Sequence, residues 1–155
     1  MTDRTALIDD VSRCAVERGL TIATSESLTS GSIATCLGAG PDAASWFAGG
    51  LVAYQEQVKF RVLDVPEGPV VTPECAEQMA RGARRLLQAD VAVSATGVGG
   101  PDPSEGKPAG TVILSVATAD GATTRHLQLD GDPEAVLSAT VDAALALLVD
   151  VLEES

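Results

Sequence analysis

Three observations predict a three-layer α/β/α sandwich with a mixed, mainly parallel sheet. Helix-like and strand-like segments alternate along the first two-thirds of the chain. The segment 91–95, Val-Ala-Val-Ser-Ala, has the unbroken small and apolar character of a strand covered on both faces. A hairpin signal, Ala119-Asp120-Gly121, enters only late, which makes the sheet mixed. No repeat and no linker interrupts the pattern, so a single domain over 1–155 is expected.

The elements follow in order. Leu7, Ile8, Val11, Cys14 and Ala15 recur at helical spacing, and Gly19 ends that helix. A strand over 20–24 leads into the turn 23–31, Ala-Thr-Ser-Glu-Ser-Leu-Thr-Ser-Gly, and then a helix to about Gly38. Gly38-Ala39-Gly40-Pro41-Asp42 breaks that helix, and 49–54 reads as a strand entered through glycines. A short helix over 55–63 and a Pro/Gly-rich loop over 64–71 precede Thr72-Pro73-Glu74, a cap with proline in the first turn. After the strand 91–95, a glycine- and proline-rich loop over 96–108 reaches a strand over 110–117 and its hairpin partner over 123–129. Asp132-Pro133-Glu134 opens the last helix, with Val136, Leu137, Val141, Leu145, Leu148 and Leu152 as its stripe.

Composition narrows the function classes. Net charge is −12, from 22 acidic and 10 basic residues, which disfavours a protein built to grip nucleic acid or an anionic membrane. Seven acidic residues and no Lys or Arg lie between Asp130 and Ser155, as on a solvated helix face. The N-terminus lacks a signal-peptide pattern, and a cytoplasmic location is expected. Cys14, Cys36 and Cys75 have no metal-ligand or redox spacing and read as three buried thiols. His126 is the single histidine, so a histidine-rich metal site is not expected.

A strand-to-helix turn exposes side chains and aims backbone N–H groups at whatever lies beyond it. Ser25, Glu26, Ser27, Thr29 and Ser30 occupy that turn, either as a helix cap or as a reactive centre. A serine nucleophile needs a base. His126 would serve only if its strand passed the turn, and a lysine would serve only if desolvated. Tyr54 and Lys59 are five apart, which on one helix points them apart; a strand end followed by a helix would let them converge. Alone, they read as a buried tyrosine and a solvated lysine. Gly97-Val98-Gly99-Gly100 follows a strand but opens no helix, and Gly38-Ala39-Gly40 follows a helix, so neither is a dinucleotide fingerprint.

Taken together, the blocks resemble the nicotinamide-nucleotide amidohydrolase family, the CinA C-terminal domain. Ser25-Glu26-Ser27-Leu28-Thr29-Ser30-Gly31 stands in place of the family's opening motif. Ser45-Trp46-Phe47, Gly50, Val52 and Tyr54 resemble the next block, with Lys59 at the expected distance. The segment 72–80, then Thr96-Gly97-Val98-Gly99-Gly100-Pro101 and Lys107-Pro108-Ala109-Gly110-Thr111-Val112, follow in family order. The resemblance implies hydrolysis of nicotinamide mononucleotide to nicotinic acid mononucleotide and ammonia, with no cofactor and no metal. It makes Ser27 the nucleophile and Tyr54 and Lys59 its activating residues, Lys59 taking the proton directly or through Tyr54. It makes Glu26, Thr29, Ser30 and Gly31, and Thr96, Gly97, Gly99, Gly100 and Lys107, candidates for substrate binding, with helix N–H groups near Thr29–Gly31 holding the oxyanion. A homodimer is implied, without the N-terminal pyrophosphatase-like domain that some members carry. A catalytically silent nucleotide-binding or interaction domain of the same fold is the alternative. Ser25, Leu28, Ser30, Gln55 and Glu56 depart from the common family residues, and a carboxylate at Glu56 is expected to raise the Lys59 pKa.

Overall fold

The computed structural model describes residues 2–154. Helix α1 (Arg4–Arg18) begins where the Asp3 carboxylate accepts the Ala6 N–H at 3.1 Å and ends at Gly19, whose φ of +64° a side chain would resist. Strand β1 (Ile22–Glu26) starts two residues later than the sequence pattern suggests. The Leu20 N–H still serves the end of α1, bonding the Ala15 carbonyl, and the Thr21 N–H goes to the Asp90 carboxylate. Ser25 and Glu26 are therefore drawn out of the expected turn and into the strand, where both are fully buried.

Helix α2 (Ser32–Gly38), the short α3 (Ala43–Trp46) and strand β2 (Phe47–Val52) follow. Strand β2 starts two residues earlier than expected: the Trp46 indole N–H is tied to the Pro41 carbonyl, and Phe47 already pairs with Ile22. Helix α4 (Glu56–Leu63) and helix α5 (Pro73–Leu86) precede β3 (Val91–Gly97), β4 (Thr111–Thr118), β5 (Gly121–Gln128) and α6 (Pro133–Glu154). The expected caps hold: Thr72 Oγ1 accepts the Cys75 N–H at 3.0 Å, and Asp132 accepts the Ala135 N–H at 2.9 Å.

The sheet order is β2-β1-β3-β4-β5. Strand β1 is parallel to β2 and β3, while β4 is antiparallel to β3 and β5, so β4 alone runs against the other four. Alternation sorts the side chains by face. Ile22, Val91, Val93, Ala95, Val112, Leu114 and Val116 pack with α1, α2 and α6 in the main core. On the other face Ala23 and Ala92 meet Ala83 of α5, and Ile113 meets Ala76. These small residues let α5 lie close across the strands. One sheet with helices on both faces is the α/β/α sandwich expected from sequence.

Two smaller expectations are corrected. Cys36 is half-buried, whereas Cys14 and Cys75 are buried, and all three are free thiols. The acidic C-terminal helix face is partly paired: Asp142 meets Arg4, Asp150 meets Arg125 and Glu153 meets Arg13. Among the described residues one helix, α6, is long and apolar enough to cross a membrane by length and composition, and it packs in the main core between the sheet and α1.

Candidate functional site

The chain leaves β1 toward β2 on one side and later returns to β3 on the other. Such a reversal opens a crevice at the carboxyl ends of parallel strands. Ser27 stands there, one residue past β1. Its N–H donates to the Ala95 carbonyl of β3 at 3.1 Å, and the Glu26 carbonyl accepts the Ala53 N–H beyond β2 at 2.8 Å. Both neighbouring strands thus fix the backbone that carries the Ser27 hydroxyl. A cavity of about 330 Å³ opens beside it, within the size range of small-ligand sites.

Glu26 does not line this cavity. Its carboxylate turns to α2, where Oε1 accepts the Ile33 N–H at 2.8 Å and the Thr29 hydroxyl at 2.7 Å, and Oε2 accepts the Ala34 N–H at 3.0 Å. A buried carboxylate needs such donors, and the positive end of a helix supplies them. The Ser32 N–H is taken by the Thr29 carbonyl. The first three N–H groups of α2 are therefore spent internally, which corrects the expectation of a helix N-terminus open to an anion. Ser30 donates its N–H to the Ser27 carbonyl at 3.1 Å and sits at φ +50°. Among the described residues, the N–H groups of Leu28, Thr29 and Gly31 have no acceptor, and of these three residues only Leu28 lines the cavity.

The second wall comes from α4. The sequence taken residue by residue suggests a solvated lysine and a buried tyrosine; the structure reverses both. Lys59 is 2% exposed and Tyr54 is 66% exposed. Tyr54 follows the end of edge strand β2 and Lys59 lies one turn into α4, and both line the cavity. Lys59 Nζ donates to the Tyr54 backbone carbonyl at 3.1 Å. Burial pushes the Lys59 pKa below its ordinary 10.5, and this outweighs the opposing pull of Cys75, Glu56 and Glu105. The expected upward shift from Glu56 is present as a contribution and loses to desolvation. Cys75, in the first turn of α5, is buried beside Lys59, and its thiol is pushed up to about 11, mainly by that burial.

The third wall is the end of β3 and the loop after it. Thr96, Gly97, Gly99 and Gly100 line the cavity. The Thr96 hydroxyl donates to the Val70 carbonyl at 2.8 Å, tying β3 to the segment before α5. Ser104 and Lys107 exchange backbone hydrogen bonds of 3.0 and 2.8 Å around Glu105 and Gly106, both at positive φ, as in a type I′ turn. The Glu105 carboxylate then accepts the N–H groups of Val70 and Val71. Sequence reasoning missed Glu105, Val70 and Val71, because nothing local to Glu105 announces a contact with residues so distant in the chain.

Of the residues singled out from sequence, Ser27, Tyr54, Lys59, Thr96, Gly97, Gly99 and Gly100 meet around one cavity. Glu26, Thr29, Ser30, Gly31 and Lys107 are not in its walls. His126 lies exposed on edge strand β5, away from it. Among the described residues no cluster of His, Cys, Asp or Glu is arranged to hold a metal.

The comparisons with known proteins bear on the fold and the family. A crystal structure of a CinA superfamily protein from Klebsiella pneumoniae superposes with a TM-score of 0.94 at 31% identity, covering 99% of both chains. A competence/damage inducible protein from Agrobacterium tumefaciens gives 0.91 at 29%, covering 99% of this chain and 97% of that one. A competence-damage inducible protein of Desulforamulus reducens is 38% identical over 148 residues, 92% of this chain and 36% of its own length. A CinA-like protein of Frankia casuarinae is 39% identical over 138 residues, 86% of this chain and 32% of its own. The chain thus spans about a third of the length of these two relatives. The family model described as CinA C-terminal domain matches residues 4–152, and the chain belongs to that family.

Proposed function

We propose that the chain hydrolyses the carboxamide of nicotinamide mononucleotide, giving nicotinic acid mononucleotide and ammonia. The observation that carries this reading is Lys59, a buried lysine with a depressed pKa in the same cavity as Ser27. A lysine that has lost its proton is a competent base for a serine hydroxyl.

The Ser27 Oγ attacks the carboxamide carbon as its proton passes to Lys59 Nζ. Negative charge develops on the carboxamide oxygen, and the Leu28 N–H, adjacent to the nucleophile and free of an intramolecular acceptor, is its nearest candidate donor. Collapse breaks the C–N bond, and the Lys59 proton leaves with the nitrogen as ammonia. Water then attacks the acyl-serine as Lys59 again takes a proton, the C–Oγ bond breaks with that proton passing to Ser27 Oγ, and the acid departs. Tyr54 enters through its backbone carbonyl, which orients Lys59 Nζ.

Ammonia release from the mononucleotide, measured for the purified chain and for Ser27→Ala, tests the reading. Turnover that disappears in the variant supports it. Calorimetric binding of the mononucleotide with no turnover supports the silent nucleotide-binding domain instead.

A further inference from the structure

We propose that the paired N–H groups of Val70 and Val71 form an anion subsite of the cavity, which the Glu105 carboxylate occupies when no ligand is bound. On the reading above, its ligand is the phosphate monoester of the substrate.

The fold already seats an anion at this position. Glu105 Oε2 accepts the Val70 N–H at 2.9 Å, while Oε1 accepts the Val71 N–H at 2.9 Å and the Val70 N–H at 3.2 Å. Two successive N–H groups converging on one carboxylate make a concavity that suits a phosphate oxygen equally well. Val70, Val71 and Glu105 all line the cavity that holds Ser27 and Lys59. The position of the pair is also fixed from behind, since the Thr96 hydroxyl donates to the Val70 carbonyl.

The contrast with Glu26 decides which backbone donors a ligand can reach. Glu26 is fully buried and holds two N–H groups of α2 and the Thr29 hydroxyl, so no ligand displaces it. Glu105 sits exposed at the tip of the Ser104–Lys107 turn, where water competes for its hydrogen bonds and screens its charge. The remaining ionisable groups in the walls are Glu56, Lys59 and Tyr54, and on the reading above Lys59 serves the Ser27 hydroxyl. The Val70–Val71 pair is thus the donor set an arriving phosphate can take by exchange. Release of Glu105 removes the tie between the tip of the Ser104–Lys107 turn and the segment before α5.

A tethered competitor lowers the affinity of the group it mimics, and a short tether supplies it at about millimolar effective concentration. Inorganic phosphate titrated into the full chain by calorimetry reads this without any turnover. Glu105→Ala is expected to bind phosphate about tenfold more tightly than the parent chain, with Glu105→Gln in between. Amide ¹⁵N–¹H resonances of Val70 and Val71 are expected to move with phosphate in Glu105→Ala. Equal or weaker phosphate binding in Glu105→Ala overturns the proposal, as does binding that leaves those two resonances still. Because the probe is phosphate alone, a chain without amidohydrolase activity passes or fails this test independently.

Discussion

Lys59 Nζ donates to the backbone carbonyl of Tyr54 at 3.1 Å, so the two residues are joined through main chain. A phenol need not relay a proton for that contact to exist. Tyr54 is 66% exposed and lines the cavity, so its ring is open to solvent rather than buried beside Lys59. Tyr54→Phe is therefore expected to keep kcat for ammonia release within about threefold, while Tyr54→Ala raises KM more than it lowers kcat. A loss in Tyr54→Phe comparable to that of Lys59→Ala would restore the hydroxyl to the proton path.

Lys59 itself should be indispensable to turnover and a burden on stability. Lys59→Ala or Lys59→Arg is expected to lower kcat by about 10³ or more, because neither side chain takes a proton near neutral pH. In the parent chain kcat/KM should rise with pH as Lys59 deprotonates, with the midpoint below 10.5 because burial lowers the folded pKa. The stability sign follows from the same shift. Below the folded pKa both states are protonated and the full burial penalty applies. Between the folded pKa and about 10.5 the unfolded chain binds more protons, so stability rises with pH. Lys59→Met removes the penalty and should raise stability at neutral pH by about 1 kcal/mol while flattening that rise. Denaturant melts at a series of pH values read both effects.

Glu26 offers the opposite case, a buried charge whose removal is destructive. Its carboxylate carries two α2 N–H groups and the Thr29 hydroxyl, and it immediately precedes Ser27. Glu26→Ala leaves those donors unsatisfied in the interior and should cost about 3 kcal/mol. Glu26→Gln keeps one acceptor and loses the charge facing the helix dipole, costing about 1–2 kcal/mol. Since the same contacts hold the turn beyond Ser27, kcat should fall in Glu26→Gln even at temperatures where the variant is fully folded. Unchanged kcat in the folded variant would limit Glu26 to stability.

These residues also mark where sequence is legible and where it stops. Thr72-Pro73-Glu74, Gly19 and Asp132 act through their immediate neighbours, so each boundary can be read locally and each is found where expected. Exposure at Tyr54 and Lys59 is decided by which way the chain turns between β2 and α4, a tertiary property that residue type predicts in reverse. Glu26 has the same difficulty. A carboxylate in a Ser/Thr-rich turn looks ligand-facing until β1 is seen to extend far enough to bury it. Ser27, Thr96 and Gly97 could be drawn together from sequence because parallel strands deliver their carboxyl ends to one side.

Gly97 closes β3 against β4 at a distance that leaves no room for a side chain. A Cβ there would lie 2.5 Å from the Thr111 carbonyl oxygen and 2.9 Å from the Val112 Cα, both backbone atoms of the paired strand. Gly97→Ala must therefore push β4 away or bend β3 at the cavity wall. A loss of about 3 kcal/mol or more is expected in denaturant melts, together with weaker mononucleotide binding in the fraction that folds. Gly99, with open space around its Cβ position, is the control: Gly99→Ala should change stability by less than about 1 kcal/mol.

Cys75 tests whether the interior around Lys59 is as dry as the lysine's depressed pKa requires. The thiol is 2% exposed and pushed up to about 11, with desolvation the leading cause. Since the thiolate is the reactive form, only about a thousandth of Cys75 is reactive at pH 8. Iodoacetamide added to the native chain at pH 8 should leave Cys75 unmodified and reach the half-buried Cys36 first. Cys75 should react only once denaturant unfolds the chain, as mass spectrometry of the digested protein reads. Cys75→Ala should preserve ammonia release within about threefold and lower stability by about 1 kcal/mol through the small void it leaves. Rapid native alkylation of Cys75 would mean that the side of Lys59 turned away from the cavity, toward Cys75, is wet as well. The desolvation that lowers the Lys59 pKa would then be missing, and Ser27 would need another base.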